Sequence, residues 1–151
     1  MIQAHGENEG DISKVSIEEI ERQICEVLRS FQVIELAYLY GSFLTGDAFN
    51  DIDVALYCPA DDGPYEGVKF ALQIGKELER HITPRHRFDV RLLLQSPLDF
   101  QYTVIKTGKL IFVKDEIQRI AYEAQLLSDY LDYRGTSEWL DREFLRRIEG
   151  V

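Results

Sequence analysis

Two aspartates stand two positions apart in the apolar segment 50–56, where they interrupt a run of strand-forming residues. Successive side chains of a β-strand point to opposite faces, so Asp51 and Asp53 are expected to project from the same face. Two carboxylates at that distance repel each other unless a proton or a cation lies between them. Because oxygen ligands suit Mg²⁺ or Mn²⁺, the pair predicts a divalent metal site.

A third acid, Asp89, interrupts the start of another apolar segment, 88–94. If this strand lies parallel to the strand of Asp51 and Asp53, the three carboxylates meet at one end of the sheet. Three carboxylates gathered there can hold two metal ions for an in-line displacement at phosphorus. Taken alone, a short Asp-x-Asp pattern also fits an ordinary polar rim of a strand, so a second signal is needed.

The second signal is Gly41-Ser42, a turn between the first predicted strand and the acids. A glycine lets the backbone approach a phosphate closely. The following N–H groups and the Ser42 hydroxyl can then bind a triphosphate. Arg91 should share the face of Asp89, where it either clamps a phosphate or simply pairs with that acid. The turn and the acids together predict a site for a triphosphate with its metal ions.

The apolar pattern predicts the elements that must position these residues. The first helix is expected to open with a capping box at Ser16 and Glu19. Strands are predicted at 33–40, 52–58, 88–94 and 109–113, and further helices at 65–80, 97–108, 115–133 and 137–148. A break at 134–136 separates the last two helices. The inner stripe of the 115–133 helix is predicted to comprise Ile117, Ile120, Ala121, Ala124, Leu127 and Leu131.

The connection lengths restrict the topology. Only about ten residues join the first two strands, too few for a parallel crossover, so these strands should be antiparallel neighbours. The second and third strands are joined through a helix and fit a right-handed parallel crossover. The predicted class is α+β, with a mixed β-sheet of about four strands, helices packed on it and C-terminal helices. We expect a single domain with a flexible leader at 1–13, a core at 14–113 and a helical extension at 114–151.

Composition narrows the range of partners. The chain of 151 residues carries 17 Lys and Arg against 27 Asp and Glu, a net charge of -10. This balance argues against direct binding to nucleic acid or to an anionic membrane surface. Cys25 and Cys58 lie in apolar stretches and read as reduced, buried side chains. The polar N-terminus lacks the apolar segment of a signal peptide, so the expected localisation is cytoplasmic.

At this point the motifs carry a family resemblance. Gly41–Asp47, Asp51-Ile52-Asp53 and Asp89 resemble the motifs of the polymerase-β-type nucleotidyltransferase superfamily, and the small size is similar to the minimal nucleotidyltransferases. Three later segments are similar to the MntA-like antitoxins of HEPN/MNT toxin–antitoxin pairs, namely Leu94–Pro97, Thr107–Phe112 and Ser128–Asp132. The resemblance covers roughly Ser16 to Asp132.

The resemblance implies an enzyme that transfers AMP from ATP to a hydroxyl, in the MntA-like group a tyrosine of the HEPN ribonuclease toxin. Gly41 and Ser42 would bind the triphosphate of ATP. Asp51 and Asp53 would hold two magnesium ions. Asp89 would complete the second metal site and help to activate the acceptor hydroxyl. A HEPN-family toxin encoded nearby is the expected partner, in a possible hetero-oligomer.

The chain also departs from the family pattern. The loop from Ser42 to Asp51 is shorter than is usual, and Asn50 stands where the family usually has a serine. Two alternatives therefore stay open. One is a non-catalytic antitoxin of the same fold that neutralises its toxin by contact alone. The other is a nucleotidyltransferase that acts on RNA or on a small molecule.

Overall fold

The structure is a computed structural model that describes residues 14–45, 51–60 and 62–149. The predicted leader at 1–13 lies outside these residues. Within the described ranges, no helix is long and apolar enough to cross a membrane. A 3-10 turn is formed at Leu93–Gln95. The elements in chain order are α1 (Lys14–Arg29), β1 (Leu36–Tyr40), α2 (Ser42–Thr45), β2 (Asp51–Tyr57), α3 (Pro64–His81), β3 (Arg87–Leu92), α4 (Leu98–Thr107), β4 (Lys109–Val113) and α5 (Glu116–Glu149).

The four strands form one mixed sheet in the order β3-β2-β1-β4. Strand β1 is antiparallel to both β2 and β4, and β2 is parallel to β3. The predicted α+β class and both predicted strand pairings are therefore confirmed. The position of β4 beside β1 was not predicted. The register places Asp53 opposite Tyr40 on one side and opposite Asp89 on the other.

One face of the sheet, which we call the aliphatic face, is covered by α1 and α3. Residues Ile20, Ile24 and Leu28 recur every fourth position of α1, so they form one apolar stripe that packs on the sheet. From α3, Ile74 and Leu78 join them. The strand residues that define the aliphatic face are Ala37, Leu39, Ile52, Val54, Leu56 and Phe88.

The opposite face, which we call the tyrosine face, is covered by α4 and α5. The side chains of Val104, Tyr122 and Leu126 pack on it from these two helices. Strand alternation assigns every second residue to this face. Its strand residues are Leu36, Tyr38 and Tyr40 of β1 and Asp53, Ala55 and Tyr57 of β2.

The structure corrects the predicted start of the first helix. Helix α1 is already formed at Lys14, so Ser16 lies within its first turn and not before it. Glu19 lies further along the helix, where its carboxylate accepts from Nε of Arg22 at 3.0 Å. The third strand also ends earlier than predicted, at Leu92, where the chain turns into the 3-10 segment.

The two C-terminal helices predicted from the sequence are one continuous helix of 34 residues, α5. A single glycine weakens a helix interior by only about 1 kcal/mol, so Gly135 does not end it without a proline nearby. Arg134 also donates across the predicted break to Glu138, with Nε and Oε1 3.1 Å apart. This pairing one turn apart supports the helix where we expected a break.

The predicted inner stripe of this helix is also wrong. Ile117 and Ile120 are 79% and 55% exposed, whereas Tyr122 and Leu126 are the residues that α5 buries. The aromatic ring of Tyr122 fills the space beside Tyr57, with ring centroids 4.2 Å apart. Several aliphatic positions competed for the inner face in the sequence, and the sheet selected the pair that fits its tyrosine face.

Candidate active site

Strand β2 presents its two acids as the alternation of the strand predicts. Ile52 and Val54 are fully buried on the aliphatic face, while Asp51 and Asp53 are partly exposed. Asp53 lies on the same side of the strand as Ala55, which is buried on the tyrosine face. The carboxylates therefore lie at the end of the tyrosine face where β2 begins.

The parallel neighbour β3 brings the third acid to the same place. Asp89 stands directly opposite Asp53 in the register, and Arg87 stands opposite Asp51. Partial burial raises the pKa of the Asp53 carboxyl above its ordinary value, and the charges of Asp89 and Asp51 raise it further. The guanidinium of Arg91 offsets part of this increase in pKa. The structure thus brings together three mutually repelling acids and one cation from the predicted set.

Arg91 pairs with Asp89, with Nε and Oδ2 3.6 Å apart. Both side chains are about half exposed, and such pairs contribute little to stability. Arg91 also lies over the ring of Phe100 in α4, 5.4 Å from the centroid. Its guanidinium is therefore held near the acids without being buried, and it remains accessible to an anionic ligand.

Gly41 makes the close approach between the end of β1 and Asp53. Its φ of +81° lies in the left-handed region, which favours glycine. A Cβ atom at this position would also overlap with Oδ2 of Asp53. Ser42 follows as the first residue of α2 and is partly exposed. The sequence assigned Gly41 to a phosphate contact, and the structure shows in addition that it leaves room for the Asp53 carboxyl.

The donor set fits a divalent cation in its chemistry, because it consists of carboxylate oxygens that repel one another. As placed, however, no three His, Cys, Asp or Glu side chains of the described residues converge closely enough to hold a metal ion. A cation held by all three acids would therefore require their side chains to turn toward one another. Of the shortened loop between Ser42 and Asp51, residues 43–45 belong to α2, whereas residues 46–50, which include Asn50, lie outside the described ranges.

Tyr40 is the residue at this site that sequence reasoning missed. It lies opposite Asp53 in the register, and its hydroxyl is closed off from solvent. Burial and the charges of Asp53 and Asp89 raise the pKa of this hydroxyl. The signal was present in the sequence, because Tyr40 directly precedes Gly41 at the end of a predicted strand.

Comparison with known proteins assigns the class. Residues 22–117 match the family described as polymerase beta, nucleotidyltransferase, and the chain belongs to that family. The predicted superfamily and the predicted enzyme class, a nucleotidyltransferase, are confirmed. No curated protein matches the sequence significantly.

Solved structures of toxin–antitoxin systems share the fold. A chain in the crystal structure of the toxin–antitoxin MntA–HepT has a TM-score of 0.62 at 16% identity, covering 85% of this chain and 98% of that chain. A chain in the crystal structure of a toxin–antitoxin with AMP-PNP has a TM-score of 0.64 at 19% identity, covering 83% of this chain and 98% of that chain. A chain in the structure of a tri-AMPylated Shewanella oneidensis HEPN toxin in complex with MNT antitoxin has a TM-score of 0.63 at 17% identity, covering 85% of this chain and 98% of that chain. The more specific resemblance to MntA-like proteins agrees with these neighbours.

Proposed function

We propose that this nucleotidyltransferase transfers AMP from ATP to a tyrosine hydroxyl of a HEPN-family toxin, and that it thereby acts as an antitoxin in the cytoplasm. The observation that carries the proposal is the meeting of Asp51, Asp53 and Asp89 beside Gly41 at one end of the sheet. The family match supplies the nucleotidyl chemistry. The neighbours with AMP-PNP and with a tri-AMPylated toxin support ATP as the donor and a protein as the acceptor.

Each acid would have its own role. Asp51 and Asp53 would hold magnesium, and Asp89 would complete the second site and accept the proton of the attacking hydroxyl. When bound, magnesium would neutralise charge on the triphosphate and stabilise an in-line displacement. The hydroxyl oxygen bonds to the α-phosphorus of ATP, the bond between that phosphorus and the bridging oxygen breaks, and diphosphate leaves. Gly41, Ser42 and Arg91 bind the phosphates.

The test is transfer of label from ATP to the protein encoded by the adjacent gene. We expect label on that protein from ATP carrying the label at the α-phosphate and none from ATP labelled at the γ-phosphate. Without magnesium the transfer should stop. Label on RNA or on a small alcohol in the absence of any acceptor protein would instead identify the alternative substrate class and overturn the proposal.

The acids are tested by Asp51→Asn and Asp53→Asn, each of which keeps the size of the side chain and removes its charge. We expect the AMP-transfer rate to fall by at least about a hundredfold, because loss even of groups that only orient metal ligands costs about 10- to 100-fold. Asp62→Asn is the matched control, since Asp62 is exposed in the loop that follows the other end of β2. An equal loss in the control, or none in the two variants, would contradict the assigned roles.

A second candidate function is neutralisation of the toxin by binding alone. The C-terminal half of α5 favours it, because this segment exposes large apolar side chains of the kind found at protein interfaces. These residues are Trp139, Leu140, Phe144, Leu145 and Ile148, each more than half exposed. If Asp51→Asn, Asp53→Asn still neutralises the toxin as well as the unchanged protein does, binding is sufficient and the transfer proposal fails as the mechanism of neutralisation.

A further inference from the structure

Three tyrosines on or against the tyrosine face have hydroxyl groups with very different surroundings. Tyr38 donates to Oε1 of Glu123 at 2.8 Å. Tyr122 donates to Oε1 of Gln101, also at 2.8 Å. The hydroxyl of Tyr40 is shut off from solvent, yet it has no hydrogen-bond partner among the residues that the structure describes. An unsatisfied buried hydroxyl costs stability, so this exception requires an explanation.

The groups that surround Tyr40 are those of the proposed active site. In an antiparallel pair, residues directly opposite each other have Cβ atoms about 4.5–5.5 Å apart, and Tyr40 is opposite Asp53. The charges of Asp53, Arg91 and Asp89 all act on its hydroxyl. The ring is held edge-on against Phe100, at 5.4 Å between centroids and 85° between planes. The guanidinium of Arg91 lies over the same Phe100 ring.

This arrangement limits what the hydroxyl can bind. Solvent does not reach it, so an acceptor for it has to come from a neighbouring protein group. Asp53 is the acid opposite it, and the absence of a Cβ atom at Gly41 leaves space beside Oδ2 of that carboxyl. The acids are also the groups that would have to turn for all three to hold one cation, because no three such side chains of the described residues converge on one as they stand.

We propose that Tyr40 is a positioning residue whose hydroxyl donates a hydrogen bond to the Asp53 carboxylate when the acids turn to hold the metal. This inference rests on the metal site of the proposed function. A hydrogen bond to an ionised acceptor is stronger than one between neutral groups. Partners of metal ligands fix the orientation of those ligands and so raise the affinity for the metal. The unpartnered hydroxyl of the metal-free protein is therefore the donor of the loaded site.

The test compares Tyr40→Phe with Tyr38→Phe, two variants that each remove one hydroxyl from the same face of the same strand. Binding of Mn²⁺ is measured directly by calorimetry, and thermal unfolding is measured without metal. We expect Tyr40→Phe to weaken Mn²⁺ binding about 10- to 100-fold and to leave the metal-free melting temperature unchanged or higher. We expect Tyr38→Phe to lower the melting temperature, because it loses the bond to Glu123, and to bind Mn²⁺ as the unchanged protein does.

A kinetic measurement separates positioning from a general structural defect. In the AMP-transfer assay, Tyr40→Phe should need a higher magnesium concentration for half of its maximal rate, and excess magnesium should restore most of that rate. Unchanged Mn²⁺ affinity in Tyr40→Phe, or a loss of metal-free stability as large as that of Tyr38→Phe, overturns the inference. If the unchanged protein binds Mn²⁺ but transfers no AMP, the proposed function fails while the role of Tyr40 is still decided by the affinities. If the unchanged protein binds no Mn²⁺, both fail.

Discussion

The two faces of the sheet are buried by different means. On the aliphatic face, Leu39, Val54 and Ile74 have no exposed surface and present only hydrocarbon to one another. On the tyrosine face, packing is interleaved with hydrogen bonds from Tyr38 to Glu123 and from Tyr122 to the buried Gln101. One face is therefore stabilised by nondirectional burial. The other depends in addition on specific pairs of polar groups.

The contrast explains where a site for chemistry can arise. Hydrocarbon packing leaves no group free to act, whereas a face built from polar pairs can end in polar groups that lack a partner. Along β1 the pairing is complete at Tyr38 and stops at Tyr40, next to Asp53 and Asp89. Strained or unsatisfied groups are commonly kept at functional sites at some cost in stability. The predictions below test this contrast between the two faces.

The largest effect on stability is expected on the aliphatic face. Leu39→Ala should lower the free energy of unfolding by about 2–5 kcal/mol, because a fully buried leucine leaves a cavity. Denaturation in urea measures the change. The matched control is Leu72→Ala in α3, where the side chain is 62% exposed and the effect should stay within about 0.5 kcal/mol. Similar losses in both variants would mean that the assigned faces are wrong.

On the tyrosine face, the loss of one hydroxyl should have a clear effect. Tyr122→Phe leaves Oε1 of the buried Gln101 without its donor and should cost about 1–3 kcal/mol in the free energy of unfolding. Tyr65→Phe removes a hydroxyl from a side chain that is 73% exposed and serves as the control. If the two variants unfold at the same urea concentration, polar pairing does not stabilise this face.

Gly41→Ala tests the boundary between the sheet and the proposed site. Its left-handed backbone should cost about 1–2 kcal/mol with alanine. Gly63→Ala also places alanine at a positive φ, +89°, but nothing lies within 4 Å of its Cβ position. Both variants should lose stability, whereas only Gly41→Ala should also weaken Mn²⁺ binding, since its Cβ atom displaces the Asp53 carboxyl. Equal Mn²⁺ affinities would contradict the close packing of Gly41 on Asp53.

The smallest effect on stability is expected at Asp53, where the substitution should stabilise the protein and not destabilise it. The folded protein raises the pKa of this carboxyl above its ordinary value of 3.8, through burial and through Asp89 and Asp51. The metal-free protein therefore loses stability as the pH rises from that value through the pKa of the folded state. Asp53→Asn should melt slightly above the unchanged protein at neutral pH, and the difference should vanish below pH 3.8. A lower melting temperature at neutral pH would contradict this.

Much of the fold could be predicted because its signals are local. The strands, the short connection between β1 and β2 and the helical crossover to β3 are all visible in the apolar pattern, and their pairings are confirmed. The errors occurred where a local signal competed with packing. A cap was predicted at Ser16 and a break at Gly135, but the helices α1 and α5 continue through both positions. The inner stripe of α5 was likewise misplaced.

The sequence by itself determined that Asp51 and Asp53 share a face, because strand geometry fixes the direction of alternate side chains. It also determined the antiparallel pairing of β1 with β2, because the connection between them is too short for a crossover. Only the tertiary structure decided that Asp89 stands opposite Asp53, that Gly41 packs on that carboxyl and that the Tyr40 hydroxyl lacks a partner. These relations join residues that are distant in the chain, and the register and helix packing that create them minimise the free energy of the whole molecule.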